Sequence, residues 1–487
     1  MNTLPIQISN IFNEYFEFIK NNSIDVDFSS FKNFKCWVRD FRFQNDIGFL
    51  TVYDGSVSHN LQIICNKENL ENFDEITNIR GACIEVFGNV IKSPAKGQEI
   101  ELVATKIIII GDLNDKKSIL LVKNVNIDTL RNYQHLRSRF KTFSYIYKIR
   151  STLLKNIHNF FHMNNFYNLD PNIITTSDCE GAGEAFQITT LDYNELINKD
   201  KKEEDIYKND FFEKQAFLTV SSQLQLEALC AGLSRVYTLN PSFRAEKSNT
   251  KRHLACFTHL EWEIAFINLE QLMDFSENLI KYVIKQTLED CSLEYIELDK
   301  FASKGIIDKL KGFIETDFER ISYYTAINLI KEHEKNILKK YSKEITIKDI
   351  PEWGDDLGSY CEKYISEVIY NKPTFVYNYP KDLKSFYMKI NDDNKTVQGC
   401  DLLIPGLGEL IGSSIREEDF NKLTNEMSRR GMSTDKLNWY LNIRHNSTFP
   451  HGGAGLGFDR LVNICTLING NIRDVVPFPV AYQECNY

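Results

Sequence analysis

Five short runs rich in β-branched and aromatic residues occupy the chain between Phe34 and Ile110, and this block constrains the fold more than any other feature. Turn signals such as Asp54-Gly55 and Ser93-Pro94 separate the runs. Five strands within about eighty residues predict a small closed barrel of the oligonucleotide-binding kind. The residues before the block predict a short helix. The runs are KCWVRDF, GFLTVYDG, LQIIC, ACIEVFGNVI and EIELVATKIIII.

The chain has 487 residues, which is more than one hydrophobic core ordinarily holds, so two or more domains are expected. We predict a barrel domain over residues 1–110, a linker over 111–140 and a larger domain over 141–487. Strands and helices mix in the larger domain without a regular β-α alternation, which favours an α+β fold on an antiparallel sheet. Within it, residues 277–350 predict a helical insertion.

Composition narrows the classes of function. A hydrophobic content of 43% and a charged content of 25% are typical of a soluble globular protein. The eleven cysteines form no C-x-x-C pair, which argues against a zinc site and a disulfide framework and favours a cytoplasmic location. No leader or membrane span is expected. The net charge of −10 argues against a general nucleic-acid binder such as a DNA-binding protein, so any RNA contact must use local patches.

The segment FRAEKSNTKRHLACF, which starts at Phe243, predicts a hairpin that grips a nucleotide. Arg244 ends the first strand, and its planar fork matches two phosphate oxygens at once. His253 can reach a more distal phosphate, and Phe257 offers a flat face for a purine. A lone F-R-x-E would favour a merely exposed charged hairpin, but the full string favours the nucleotide site.

A second segment, HGGAGLGFDRLVNI, starts at His451 and runs from glycines into an apolar helix. A dinucleotide fingerprint is disfavoured because the spacing is G-x-G-x-G and no strand-like run leads closely into it. The glycines instead predict a strand that passes close to a ligand. Arg460 would then project from the start of the helix toward phosphate.

These two segments resemble motifs two and three of the class II aminoacyl-tRNA synthetases, and their detail is similar to the asparaginyl-tRNA synthetases of the aspartyl, asparaginyl and lysyl subgroup. The resemblance covers nearly the whole chain. It implies an anticodon-binding barrel, then a class II antiparallel β-sheet domain flanked by helices, in a homodimer. It also implies a ligase that uses ATP and Mg²⁺ to attach L-asparagine to tRNA(Asn), releasing AMP and pyrophosphate. Further matches are ITTSDCEGAGEAF, FFEKQAFLTVSSQLQLE, NYPKDLKSFYM, DLLIPGLGELIGSSIREE and NIRDVVPFP.

The resemblance also implies a role for individual residues. Asp401 and Glu409 match the family's magnesium carboxylates, and hard oxygen ligands suit that ion. Phe49 and Gln62 match residues of the barrel that stack on and read the anticodon. A place for Phe49 in the barrel core is an equal alternative. The catalytic residues implied are Arg244, Glu409 and Arg460; the ATP-binding residues are Arg244, Glu246, His253, Phe257, Gly457 and Arg460; the asparagine-binding residues are Glu180, Ser221, Gln223, Glu261 and Arg416.

The nearest alternative is an aspartyl-tRNA synthetase, which differs from an asparaginyl-tRNA synthetase in the amino acid it binds. The pocket of the aspartyl enzyme must neutralise a carboxylate. That family usually places a lysine three residues after the pocket glutamine, where this chain has Leu226. Its motif-two aspartate is Glu261 here, which would accept hydrogen bonds from an amide and repel an acid. Arg416 could donate to the amide oxygen. Specific polar pairing discriminates better than shape, so asparagine is favoured.

Alternatives of another class also stay open. A synthetase-like RNA-binding regulator without charging activity would be expected to lose the phosphate grip, whereas Arg244, Glu409 and Arg460 are intact. An asparagine-forming ligase derived from the same catalytic domain would not need the barrel. The chain also departs from the family pattern at Cys256, where a glutamate is usual, and at Val480, where F-P-R usually supplies an arginine.

Overall fold

The computed structural model describes residues 4–22, 27–115, 117–176, 185–192, 196, 206–468 and 470–486. Contacts between residues divide the chain into two compact units, with the division at Ser144. The described residues contain no helix that is both long enough and apolar enough to cross a membrane.

The first unit contains a closed five-stranded barrel, with strand order β1-β2-β3-β5-β4. Strands β3 and β5 are parallel, and the other neighbours are antiparallel. Alternate residues such as Leu50 and Val52 are fully buried, which produces the period-two pattern of a strand with one face in a core. The predicted barrel is therefore confirmed. Its strands are β1 (Ser29–Gln44), β2 (Ile47–Tyr53), β3 (Leu61–Asn66), β4 (Cys83–Lys92) and β5 (Ile100–Gly111).

Two α-helices lie wholly within the described residues of the barrel unit. Helix α1 (Ile8–Asn21) buries Ile8 and Ile11 in the same core as the strands. The backbone N–H of Ile8 donates to Asp54 at 2.7 Å, so a turn of the barrel also secures the start of this helix. The expected short N-terminal helix is therefore present, and α2 is a single turn (Ile127–Leu130).

The second unit is built on an eight-stranded sheet in the order β12-β13-β14-β15-β16-β11-β10-β6. The six inner strands are antiparallel, as predicted. The edge strands β12 and β6 pair in parallel, so the sheet is mixed rather than purely antiparallel. The strands are β6 (Tyr167–Asn168), β10 (Arg235–Phe243), β11 (Cys256–Ala265), β12 (Glu319–Ser322), β13 (Thr374–Tyr377), β14 (Gly399–Ile404), β15 (Gly408–Ile415) and β16 (His451–Gly457).

Helices flank this sheet, and a small sheet of order β7-β9-β8 accompanies it. Helix α3 buries Ile146, Ile149, Leu153 and Ile157, whose spacing of three and four forms one apolar face. Within residues 277–350 the structure has four α-helices, the first of which begins before this range at Leu269, and the edge strand β12. The elements are α3 (Lys141–Met163), β7 (Ile174–Thr175), β8 (Gln187–Ile188), β9 (Ala216–Leu218), α4 (Gln223–Leu233), α5 (Leu269–Asp290), α6 (Ser292–Phe301), α7 (Ile306–Glu315), α8 (Tyr323–Lys340), α9 (Ser359–Tyr364), α10 (Phe420–Arg429), α11 (Asn438–His445) and α12 (Phe458–Thr466).

Candidate active site

The hairpin formed by β10 and β11 carries residues that were predicted to bind the nucleotide. Phe243 pairs with Cys256 at the end of the ladder, and the N–H of Arg244 donates to the carbonyl of Ala255 at 3.0 Å. This pairing fixes the backbone of Arg244 directly after the end of β10. Its guanidinium carbon lies 5.6 Å from the ring centroid of Phe257, so the cation and the aromatic face border one space.

An outer cavity of about 300 Å³ opens beside this hairpin. All the residues assigned above to ATP line it, although they come from distant parts of the chain. Arg252 lines it too, and the sequence comparison had not assigned that residue a role. The lining includes Arg244, Glu246, Arg252, His253, Phe257, Glu409, Gly457 and Arg460.

The basic residues of the outer cavity are held by oxygen acceptors. Arg252 donates to the carbonyl of Leu407 at 2.7 Å, and Arg460 donates to the carbonyl of Glu409 at 3.0 Å. Burial and the neighbouring Arg460 lower the pKa of His253, which favours its neutral imidazole. The positive charge of this cavity therefore resides on its arginines.

An inner cavity of about 230 Å³ adjoins the outer one. The two share Arg244, His259, Glu409 and Gly455, so Arg244 faces both spaces. Of the residues assigned to asparagine, the inner cavity contains all but Glu180, which lies outside the described residues. Its lining includes Ser221, Gln223, Arg244, Glu261, Lys384, Asp401, Glu409 and Arg416.

Glu261 is held by the chain itself at the side of this cavity. Its carboxylate accepts hydrogen bonds from the Ser221 hydroxyl and, at 2.9 Å, from the N–H of Ser222. His259 lies 3.5 Å away from it. The side chain is only 3% exposed, so its orientation is set before any ligand arrives.

Arg416 forms the floor of the inner cavity and belongs to a buried network. Its guanidinium donates to both carboxylate oxygens of Glu263, at 2.9 and 3.0 Å, and to the amide oxygen of Gln223 at 2.8 Å. The amide nitrogen of Gln223 donates to Glu227 at 3.1 Å. The network therefore fixes which end of the Gln223 amide faces each partner.

Glu227 extends the network beneath the floor and is completely buried. It accepts hydrogen bonds from Arg444 at 2.5 Å and from Tyr440 at 2.8 Å, and His451 lies 3.0 Å away. Burial alone would raise the pKa of Glu227, but Arg444 and His451 outweigh it and hold the pKa below its ordinary value. Sequence comparison did not assign Glu227 or Glu263, because no local pattern shows which cation each one faces.

The glycines of the second motif make room for side chains of the neighbouring strand. A Cβ at Gly453 would lie 2.0 Å from a carboxylate oxygen of Glu263, and one at Gly455 would lie 2.6 Å from the His259 ring. Both glycines pair with β11 in the ladder. Glycine is thus needed at these positions because polar side chains beneath the cavities occupy the space of a Cβ. The sequence had instead predicted that the glycines let the strand lie close to a ligand.

The two predicted magnesium carboxylates converge. A Cβ at Gly412 would lie 3.2 Å from Glu409 Oε1 and 3.7 Å from Asp401 Oδ1, so both oxygens face the same cradle. Burial raises the pKa of Asp401. Burial also opposes ionisation of Glu409, but Arg460 and Lys384 lower its pKa. Within the described part of the chain no group of three or more metal-type side chains is present, so an ion here would need further oxygen ligands.

The two departures from the family pattern lie opposite each other. Cys256 forms an antiparallel bridge with Val480, and the N–H of Ala255 donates to the Val480 carbonyl at 2.8 Å. Cys256 is not part of the lining of the outer cavity, whereas its neighbour Phe257 is. This chain therefore has uncharged residues at both of the bridged positions.

Phe49 and Gln62 lie on neighbouring strands of the barrel. Phe49 pairs with Ile64, and Gln62 pairs with Thr51, so both side chains project from the outer face. Phe49 is half-buried, and the guanidinium carbon of Arg42 lies 5.0 Å from its ring centroid. The alternative that Phe49 fills the barrel core is therefore wrong.

Comparison with known proteins agrees with this architecture. The family model described as class II tRNA synthetases (D, K and N) matches residues 126–482, and the model for OB-fold nucleic acid binding domains matches residues 33–110. The chain therefore belongs to the class II tRNA synthetases of the D, K and N group.

Individual relatives narrow this assignment. The asparagine–tRNA ligase of Treponema denticola is 42% identical over 91% of this chain and 94% of its own length. That of Photorhabdus laumondii is 42% identical over 93% and 95%. The crystal structure of asparaginyl-tRNA synthetase from Pyrococcus horikoshii complexed with asparaginyl-adenylate is 31% identical, with a TM-score of 0.78 over 93% of this chain and 95% of that one. The chain belongs to the asparagine–tRNA ligase family.

Proposed function

We propose that this enzyme activates L-asparagine with ATP and transfers it to the 3′ end of tRNA(Asn). The observation that supports this most directly is the position of Arg244, which lines the outer and the inner cavity at once. A group at that point can contact the α-phosphate of a nucleotide on one side and an amino-acid carboxylate on the other. The alternatives, an aspartyl-tRNA synthetase and a non-charging regulator, are not favoured by the family membership.

The outer cavity is proposed to hold ATP. Phe257 supplies a flat surface for adenine, and Glu246 lies beside the ribose or the tRNA end. Arg244, His253 and Arg460 face the phosphates, with Gly457 at the start of the helix that carries Arg460. We add Arg252 to this set, since it lines the same cavity.

The inner cavity is proposed to hold asparagine. Ser221, Gln223 and Glu180 would surround the amino group, and Glu261 and Arg416 would contact the side-chain amide. The charge of Arg416 is already offset by Glu263, which the guanidinium contacts through two hydrogen bonds. The floor therefore has little net positive charge with which to attract the carboxylate of aspartate. The neutral amide of asparagine does not need that charge.

Asp401 and Glu409 are proposed to hold Mg²⁺. The convergence of their oxygens on Gly412 and their carboxylate chemistry fit that ion. When bound, the ion would offset negative charge on the phosphates. The remaining ligands would come from ATP and water, because Mg²⁺ usually keeps several waters and binds through one or two carboxylates.

In the first step the carboxylate of asparagine, already ionised at neutral pH, attacks the α-phosphorus of ATP. A bond forms between the carboxylate oxygen and phosphorus, and the bond to the β-phosphate oxygen breaks, so pyrophosphate leaves. Arg244 and Arg460 align the reactants and stabilise the charge that develops on the phosphoryl oxygens. A terminal hydroxyl of the tRNA then attacks the carbonyl carbon of asparaginyl-adenylate, and AMP leaves.

We propose the following functions for the successive segments of the chain. Residues 1–110 form the anticodon-binding domain, in which Phe49 stacks on a base and Gln62 reads one; residues 111–140 are a linker. Residues 141–487 form the catalytic domain, with 277–350 as a helical insertion. A homodimer in the cytoplasm, without a membrane or DNA partner, completes the proposal.

The exchange of labelled pyrophosphate into ATP tests the function, because it reports the first step without tRNA. We expect exchange with asparagine and at least about a hundredfold less with aspartate at equal concentrations, given polar discrimination in the inner cavity. Exchange driven equally well by aspartate would contradict the choice of amino acid. Absence of exchange with both amino acids, together with binding of tRNA, would favour the non-charging regulator.

A further inference from the structure

We propose that Lys384 serves as an internal cation of the magnesium site, which the divalent ion must displace from Asp401 in order to bind. This inference rests on the proposed function, since it concerns the proposed ligands Asp401 and Glu409. Its consequence is that the protein binds the ion together with ATP and hardly at all without it. Lys384 is then a positioning residue for the first step of the reaction.

Lys384 lies directly on one of the two carboxylates. Its ammonium donates to Asp401 Oδ2 at 2.5 Å and lies 3.9 Å from the ring centroid of Tyr379. The Lys384 side chain is 19% exposed and that of Asp401 only 10%, so little water shields the pair. An ammonium with a carboxylate at one side and an aromatic face at another is held firmly in place.

The ammonium and a divalent ion would compete for the same negative charge. The second oxygen of Asp401 faces the cradle at Gly412, together with a carboxylate oxygen of Glu409. Asp401 could bind an ion through that oxygen, but the carboxylate would then share its charge between the ion and Lys384. Two cations placed a few ångströms apart in a poorly hydrated site repel each other strongly.

One further acidic group, Glu362, adds negative charge beside the site, where Lys384 and Arg460 are the cations closest to the two carboxylates. Glu362 accepts from the N–H of Glu409 at 3.4 Å, so a third carboxylate stands beside the pair. Buried negative charge that is left uncompensated is costly. While the nucleotide is absent, Lys384 offsets the charge of Asp401, and Arg460 lies 4.0 Å from a carboxylate oxygen of Glu409. When ATP arrives, its phosphates bring oxygen ligands for the ion and negative charge that can accept the displaced ammonium.

A second lysine of the same chain segment, Lys389, provides a matched control. It is five positions further along the chain, carries the same charge and pairs with a single carboxylate, that of Glu418. It is not part of the lining of either cavity. Lys389→Met therefore removes the same charge from the same chain segment without touching the proposed metal site.

The test uses Mn²⁺, which accepts the same oxygen ligands as Mg²⁺ and can be followed by electron paramagnetic resonance. Binding is measured on the full chain without nucleotide. We expect Lys384→Met to bind Mn²⁺ at least about tenfold more tightly than wild type, because the competing cation has gone. Lys384→Arg and Lys389→Met should remain as weak as wild type. Circular dichroism and thermal melting show that each variant is folded.

Three results would overturn the inference, and they differ in what they say about the site. If wild type with ATP binds Mn²⁺, seen as enhanced water-proton relaxation, but Lys384→Met without ATP binds it no more tightly than wild type, Lys384 is merely structural. If neither protein binds Mn²⁺ even with ATP, the proposed metal role of Asp401 and Glu409 fails as well. Equal tightening in Lys389→Met would show a general charge effect and would also contradict the inference.

Discussion

The barrel and the eight-stranded sheet place the side chains proposed to be functional in opposite ways. In the barrel, Phe49 and Gln62 project from the outer face, while alternating residues such as Leu50 fill the core. In the sheet, Arg416, which is proposed to contact the substrate, and Glu263, which accepts hydrogen bonds from it, are both buried. The proposed binding surface of the barrel thus lies outside its core, whereas the proposed site of the sheet is part of the core of that unit.

This difference fits what each surface is proposed to recognise. An unpaired base offers a broad aromatic face, which a half-buried side chain on a curved sheet can meet. A small polar amino acid must instead be surrounded and its water removed, so the charges that contact it need partners inside the protein. We therefore expect substitutions in the barrel to leave stability nearly unchanged and substitutions beneath the sheet cavities to affect stability and activity together.

The largest effect is expected for Arg244→Ala. Removing the cation that faces both cavities should lower asparagine-dependent pyrophosphate exchange by about a hundredfold to a thousandfold, the range seen when one charge-stabilising donor is lost. The half-exposed position of Arg244 should leave the thermal midpoint within a few degrees. A variant that keeps more than a tenth of wild-type exchange would contradict its place in the reaction.

Glu227→Gln tests whether the network beneath the floor supports the fold. Loss of one partner leaves the buried Arg444 uncompensated, and we expect a loss of about 3–5 kcal/mol in the free energy of unfolding, measured in urea. Because the folded pKa of Glu227 lies below its ordinary value of 4.5, its contribution is present above that pH and falls as the pH drops below it. The difference between variant and wild type should therefore shrink on acidification, and a constant difference would contradict this account.

Phe49→Ala should separate the two activities. We expect exchange to stay at the wild-type rate, since the proposed activation step does not involve the barrel. Aminoacylation should require a higher concentration of tRNA, because tRNA binding should lose about 1–3 kcal/mol of free energy, the usual contribution of one stacked base. The substitution Phe31→Ala, at an exposed aromatic residue of another strand, is the control and should change neither. A parallel loss of exchange in Phe49→Ala would break the comparison between the two regions.

The smallest effect is expected at Cys256. Its bridge partner is Val480, and it does not line the outer cavity, so Cys256→Ala should leave the KM for ATP within about twofold of wild type. Phe257→Ala, one residue further on, should raise that KM at least about tenfold through loss of the adenine surface. Equal effects of the two substitutions would show that Cys256 also contacts the nucleotide.

Much of the fold could be predicted from local patterns. The alternation of residues in GFLTVYDG and LQIIC indicates strands with one buried face, and the structure has them as β2 and β3. The parallel edge strands β12 and β6 could not be predicted in this way. They contain only four and two residues, so their pairing depends on the sheet that receives them rather than on any pattern of their own.

By itself, then, the sequence determined the barrel, the hairpin that presents Arg244 and Phe257, and the family to which the motifs belong. Only the tertiary structure decided which charges compensate one another. Glu227 meets Arg444 from 217 residues away, and Lys384 meets Asp401 from 17 residues away. The physical reason is that periodicity reports which face of an element is buried, whereas a buried charge is defined by the partner that packing brings to it.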